Sequence, residues 1–153
     1  MKELVEKLIR ENKSISTMES CTGGGVANAI TNIPGASEIL KFSAVTYSNE
    51  FKIKMGVSSE VIDKYSVYSR NTADEMSKSI SDFTSSTYGV GVTGKLKRSD
   101  INNPYGEDNK VYISIYDREN DKYYNETVTA IYEERKDNKE LVIDKIVEML
   151  MSL

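Results

Sequence analysis

Apolar residues recur at helical spacing at the start of the chain. Leu4, Val5, Leu8 and Ile9 share one side of residues 2–12, which predicts an amphipathic helix ended by Asn12-Lys13. Residues 14–18 alternate apolar and polar and predict a first strand. Residues 23–32 return to a helical pattern, stopped before the turn signal Ile33-Pro34-Gly35. Phe42, Ala44, Val45 and Tyr47 mark a second strand over 41–47. Residues 49–56 and 58–65 predict two short helical pieces around Gly56, the second opened by an N-cap signal at Ser58-Ser59-Glu60. Ser69-Arg70-Asn71-Thr72 opens a longer helix carrying Ala73, Met76, Ile80 and Phe83.

Residues 88–93 predict a strand, and 94–109 are polar and rich in turn residues, a long loop. Two β-like runs, 111–116 and 123–131, flank the polar segment 117–121 and predict a hairpin. A last helix is expected over 137–151, with Leu141, Val142, Ile143, Ile146, Val147, Met149 and Leu150 as its apolar positions. This succession predicts an α/β fold: a three-layer α/β/α sandwich on a mixed, mostly parallel sheet of about five strands. No repeat, linker or composition shift divides the chain, so residues 1–153 read as one domain.

Composition narrows the chemistry. Hydrophobic residues make up 39% and charged residues 29%, enough for a real core and too apolar for wholesale disorder. A net charge of -4 argues against a nucleic-acid surface, which carries a basic excess. The ten tyrosines scatter over several elements and build no stacking platform. No apolar run approaches the roughly 20 residues that span a bilayer. The N-terminus is charged and without a signal-peptide stretch, and Cys21 is the one cysteine, so no intrachain disulfide forms and the chain reads as cytoplasmic. With one cysteine and no histidine, no Cys- or His-based metal site is expected, and no cofactor.

The richest stretch chemically is Glu19-Ser20-Cys21-Thr22-Gly23-Gly24-Gly25, where the first strand turns into a helix. Glycines at such a turn let the backbone approach a ligand, and helix N-terminal N–H groups attract an anion or a developing oxyanion. The absence of histidine excludes a Ser-His-Asp triad, so a nucleophilic Ser20 needs another base, for which lysine is the usual substitute. A plainer reading makes Ser20 a helix N-cap, Cys21 a small buried apolar residue, and Lys52 and Arg135 solvated surface charges.

Thr17-Met18-Glu19-Ser20-Cys21-Thr22-Gly23-Gly24 resembles the T-A-E-S-C-T-G-G signature of the CinA C-terminal domain family, the nicotinamide-nucleotide amidases. The resemblance continues through Ile33-Pro34-Gly35-Ala36-Ser37, Val45-Thr46-Tyr47-Ser48-Asn49-Glu50-Phe51-Lys52, Gly56-Val57, Tyr68-Ser69 and Val92-Thr93-Gly94, and returns faintly at Arg135. It implies hydrolysis of the carboxamide of nicotinamide mononucleotide, with Ser20 as nucleophile, Lys52 as its base and Tyr47 as the third catalytic residue. It implies substrate contacts from Thr22, Gly23, Gly24, Asn49, Thr93, Gly94 and Arg135. It also implies a homo-oligomer with a small-molecule nucleotide as partner and no membrane or nucleic acid. Met149, Leu150, Met151 and Leu153 are expected to add an exposed apolar stripe at the C-terminus.

Where the family carries a glycine- and proline-rich I-A-G-P-x-G loop, this chain has Lys95, Leu96, Lys97, Arg98, Ser99 and Asp100. Charged side chains there reshape the pocket, and Lys95, Lys97 and Arg98 form either a phosphate-binding patch or a solvated loop. Other readings stay open: the same dyad acting on a different small amide or nucleotide, or a binding module without catalysis.

Overall fold

The computed structural model describes residues 1–153. Five strands form one mixed sheet in the order β2-β1-β3-β4-β5. β1 (Ile15–Glu19) pairs in parallel with β2 (Leu40–Val45) and β3 (Tyr88–Gly94). β4 (Lys110–Asp117) runs antiparallel to both β3 and β5 (Lys122–Thr129), so four strands point one way and β4 the other. Helices α1 (Lys2–Arg10), α2 (Gly25–Thr31), α3 (Ala36–Ile39) and α7 (Arg135–Met151) cover one face. α6 (Arg70–Thr84) covers the other, with α5 (Ser59–Tyr65) against it, and the short α4 (Asn49–Lys54) follows β2. This is the expected three-layer sandwich.

Strand alternation divides the core between the faces. Ile15, Val90, Val92, Val111, Ile113 and Ile115 pack with Leu4, Leu8, Ile30, Val142 and Ile146 under α1, α2 and α7. Met18 packs with Val57, Ile62, Val67, Met76 and Ile80 toward α5 and α6. On that second face β3 presents Gly89 and Gly91, and a Cβ at either would collide with the carbonyl oxygen of Ser77 or Ala73. Glycine there lets α6 lie directly on the sheet. Ser77 and Ser114 meet across the same close interface at 3.0 Å.

The helix starts follow their caps. Ser48 Oγ accepts from Phe51 N–H at 3.3 Å, and Ser69 Oγ accepts from Thr72 N–H at 3.1 Å. Ser58 does precede α5, but its side chain makes no capping bond. Several features depart from the sequence reading; among them, α2 begins at Gly25 instead of 23 and β5 ends at Thr129 instead of 131. Residues 36–39 form a short helix entered through Gly35 at φ 90°, where the sequence offered too few periodic positions to read. β2 ends at Val45, so Tyr47 lies beyond the strand. α7 begins at Arg135, two residues earlier than its apolar periodicity predicts, because its first turn is polar. The C-terminal apolar stripe is also corrected. Met149 and Leu150 are buried, Leu153 packs against the core, and Met151 alone of the four is exposed. No helix is long and apolar enough to cross a membrane.

The parallel strands give the fold its crevice. From β1 the chain crosses to β2 on one side, while β3 flanks β1 on the other, so connections part at the carboxyl ends of β1 and β3. A crevice opens at such a switch point.

Candidate active site

Ser20 is the first residue beyond β1, at that switch point. Its N–H donates to Val92 O at 3.0 Å, and Thr46 N–H donates to Glu19 O at 2.9 Å, so both neighbouring strands clamp the backbone that presents its hydroxyl. Lys52 reaches the same point from α4. Its side chain is 1% exposed, and Nζ donates to Thr46 O at 2.7 Å and to Ser20 Oγ at 3.1 Å. Burial lowers the Lys52 pKa from 10.5 to about 8, against smaller opposing effects of Cys21 and Asp100. A lysine so placed is neutral in about a tenth of molecules at pH 7 and in half near pH 8. Burial pushes the neighbouring Cys21 thiol the other way, up to about 12, which keeps it protonated and poorly nucleophilic.

A cavity of about 840 Å³ opens over this pair. Ser20, Tyr47, Asn49, Gly94 and Arg135 all line it, so the strand ends and the starts of α4 and α7 converge on it. Tyr47 is 65% exposed on its wall, and its hydroxyl bonds to neither Ser20 nor Lys52. Gly94 sits where a Cβ would collide with Lys110 O across the ladder.

Thr22, Gly23, Gly24 and Thr93 do not line the cavity. The Thr22 hydroxyl donates to Glu19 Oε2 at 2.6 Å, and that of Thr93 to Val67 O at 2.9 Å. Gly23 N–H donates to Ser20 O at 3.0 Å, Gly24 N–H to Glu19 Oε2 at 3.1 Å, and Gly25 N–H to Thr22 O at 3.2 Å. The glycine amides are therefore spent on holding the turn, with Gly24 in the left-handed region at φ 90°. The amides left without an acceptor in the chain are those of Cys21 and Thr22, directly after the serine.

Sequence reasoning passed over three side chains. Glu19 is completely buried and fills the α2 N-terminus, where an external anion was expected. An acid four residues before the first glycine of the turn and six before the helix start was the available signal. Tyr68 and Asp100 form the cavity's far wall: the Tyr68 hydroxyl donates to Asp100 Oδ2 at 2.5 Å, and Asn103 Nδ2 donates to the same oxygen at 3.0 Å. Asn49 Nδ2 donates to Asn103 Oδ1 at 2.9 Å and ties the 100–103 segment to α4. The Tyr68 hydrogen bond, then that of Asn103, holds the Asp100 carboxyl below its ordinary 3.8; burial, then Asp100, pushes the Tyr68 phenol up.

The loop cations part company. Lys95 is buried and paired with Asp108 at 2.9 Å, and Lys97 pairs with Glu133. Arg98 and Arg135 both line the cavity, and neither has a carboxylate within ion-pair distance. The patch expected from three residues thus reduces to Arg98, joined from α7 by Arg135.

Fold and site together describe an α/β protein with a buried serine–lysine pair at the sheet's switch point, beneath a cavity bearing two unpaired guanidiniums. The family model of the CinA C-terminal domain matches residues 1–153, and the chain belongs to that family. A CinA-like protein of Endomicrobium trichonymphae is 34% identical over 149 residues, covering 94% of this chain and 33% of that protein. A CinA-like protein of Desulforapulum autotrophicum is 40% identical over 93 residues, 60% of this chain and 22% of that one. The chain thus spans a third or less of the length of these curated relatives. Among solved structures, the competence/damage inducible protein CihA from Agrobacterium tumefaciens superposes with a TM-score of 0.85 at 27% identity, over 99% of this chain and 93% of that one. A CinA superfamily protein from Escherichia coli shares the fold at a TM-score of 0.85 and 21% identity, over 98% and 86%.

Proposed function

We propose that the chain is an amidohydrolase that converts nicotinamide mononucleotide to nicotinate mononucleotide and ammonia. The observation that carries the reading is the buried Lys52 Nζ, 3.1 Å from Ser20 Oγ, with its pKa lowered to about 8. In neutral form Lys52 takes the Ser20 proton as Oγ attacks the carboxamide carbon. The oxyanion is received by the amide of Cys21, a cavity-lining residue whose N–H the turn leaves free. Lys52 then returns the proton to the departing nitrogen, ammonia leaves, and an ester on Ser20 remains. Water attacks that ester with Lys52 again as base. Carboxylate product and free Ser20 result.

The cavity suits such a substrate. Arg98 and Arg135 offer two unpaired cations to a phosphate, and Tyr47 and Tyr68 line the same cavity with aromatic surface for a pyridine. Substrate contact is assigned to Asn49, Gly94 and Arg135, and Thr22, Gly23, Gly24 and Thr93 support the turn and strand behind them.

Ammonia release from nicotinamide mononucleotide, measured for the native chain and for Ser20→Ala, tests the proposal. The native chain is expected to release ammonia stoichiometrically with nicotinate mononucleotide. Ser20→Ala, with an unchanged circular dichroism spectrum, is expected to lose several orders of magnitude in rate. A folded Ser20→Ala that retains the activity refutes the assignment.

A further inference from the structure

We infer that Glu19 is the positioning residue of the site: an internal anion whose carboxylate fixes the turn that aims Ser20 at Lys52. The inference rests on the reading of Ser20 as nucleophile.

The carboxylate is wholly buried, and no lysine or arginine pairs with it. It accepts five hydrogen bonds instead. Oε2 receives Thr22 Oγ1 at 2.6 Å, Gly24 N–H at 3.1 Å and Val26 N–H at 3.1 Å. Oε1 receives Ala27 N–H at 2.9 Å and Thr17 Oγ1 at 3.3 Å. Thr17 in turn meets Ser43 of β2 at 2.7 Å. One side chain therefore gathers β1, β2, the glycine turn and the first turn of α2. Buried charge without a counter-ion is costly, and a charge-assisted network of this kind is what makes it tolerable.

The geometry explains why the anchor sits beside the serine. Side chains alternate along β1, so Glu19 points toward α2 while Ser20 points toward α4 and Lys52. The Ser20 backbone is held upstream by β2 and β3. Downstream the chain bends through Gly23 and Gly24, both at positive φ, and has no other large side chain to stiffen it. Glu19 closes that flexible side. It draws the N–H groups of Gly24, Val26 and Ala27 onto itself, and those of Cys21 and Thr22 stay without an acceptor in the chain. Asp100 is the carboxylate that acts on the Lys52 pKa, and Glu19 acts on the pair through geometry.

Glutamine is the discriminating replacement. It keeps the shape, but its NH₂ group must face amide donors: Gly24 and Val26 in one orientation, Ala27 in the other. The turn then relaxes, and a misplacement of about 1 Å can cost about a hundredfold in rate. The test uses phenylmethanesulfonyl fluoride, which requires no knowledge of the natural substrate. Ser20 Oγ forms the S–O bond, fluoride leaves, and Lys52 takes the proton. Labelling of Ser20 is followed by intact mass alongside thermal melting, and turnover of nicotinamide mononucleotide is split into kcat and KM.

Glu19→Gln is expected to label at least tenfold more slowly than the native chain and to lose kcat similarly, with KM within about threefold because Arg98 and Arg135 are untouched. A folded Glu19→Gln that labels at the native rate overturns the inference alone. A native chain in which Ser20 takes no label overturns the nucleophile reading and the inference with it. Should Glu19→Gln fail to fold, Thr22→Val removes one donor and keeps the carboxylate with its three amide bonds. A severalfold slower label then supports the role, and a native rate reduces Glu19 to a structural part.

Discussion

Lys52→Met isolates the energetic tension in the site. The native ammonium is buried, and its pKa falls from 10.5 to about 8, so the folded chain binds fewer protons than the unfolded chain between those values. Stability rises with pH wherever the unfolded state binds more protons. The Lys52 contribution is therefore unfavourable and constant below pH 8, and it is relieved as pH climbs through 8 to 10.5. Integration gives a native gain of about 1.4 kcal/mol by pH 9 and about 2.5 kcal/mol by pH 10, relative to pH 7. Methionine fills similar space, carries no proton and has no such dependence. It does lose the bonds to Thr46 O and Ser20 Oγ, a pH-independent cost of about 1–3 kcal/mol.

The assay is urea unfolding of both chains at pH 7, 9 and 10. Cys21, pushed up to about 12, makes both chains lose stability once the unfolded thiol ionises near pH 9, and that effect largely cancels in the difference. The stability of the native chain minus that of Lys52→Met is expected to rise by about 2.5 kcal/mol from pH 7 to pH 10. A difference flat to about 0.5 kcal/mol refutes the reasoning, since it means that the ammonium is as well solvated folded as unfolded.

Asp100 favours protonated Lys52, so Asp100→Asn is expected to move the acid limb of the kcat/KM profile to lower pH; a limb that stays or rises contradicts the coupling. Arg98→Ala and Arg135→Ala are each expected to raise KM about tenfold with kcat little changed, and to weaken competitive inhibition by inorganic phosphate, read from initial rates. Gly91→Ala places a methyl group against Ala73 O and 2.6 Å from Ser77 N, so it is expected to lower unfolding stability by about 2–3 kcal/mol in urea titration.

Much of the fold is legible because strong periodic patterns coincide with strong burial. Ile15 and Met18 of β1, Val90 and Val92 of β3, and Ile113 and Ile115 of β4 alternate as they pack. Gly89 and Gly91 look like strand weaknesses in the sequence, and their reason appears only when α6 rests on them. Helix α3 stays hidden because four residues carry no period. In the site, Ser20 and Lys52 are legible from motif order, and their 3.1 Å approach requires β1 and α4 to meet in space. Glu19 escapes notice because an acid at a strand end reads as a solvated edge. The same ambiguity made the glycine turn look open to an outside anion, when the chain supplies that anion itself.

The 95–109 loop shows how charge read along a chain differs from charge read in a fold. Four cations or acids within six residues suggest a polar surface flap. Folding sorts them by reach. Lys95 turns inward to Asp108 with Leu96 anchored in the core beside it, and Lys97 crosses to Glu133 near the start of α7. Those links hold the loop's base. Arg98 and Asp100 are then delivered to the cavity with opposite charges, Arg98 unpaired and Asp100 bonded to Tyr68. Glycines at these positions would bring backbone amides to a ligand. The side chains here substitute a guanidinium and a carboxylate, whose attraction and repulsion act over several ångströms and select by charge rather than by close fit. Arg98 favours an anion in the cavity. Asp100 favours a cationic group near the Tyr68 wall and raises the Lys52 pKa against the effect of burial. A substrate that is cationic near its amide and anionic farther out suits both, and its positive charge beside Asp100 would relieve the hold of that carboxylate on the Lys52 proton.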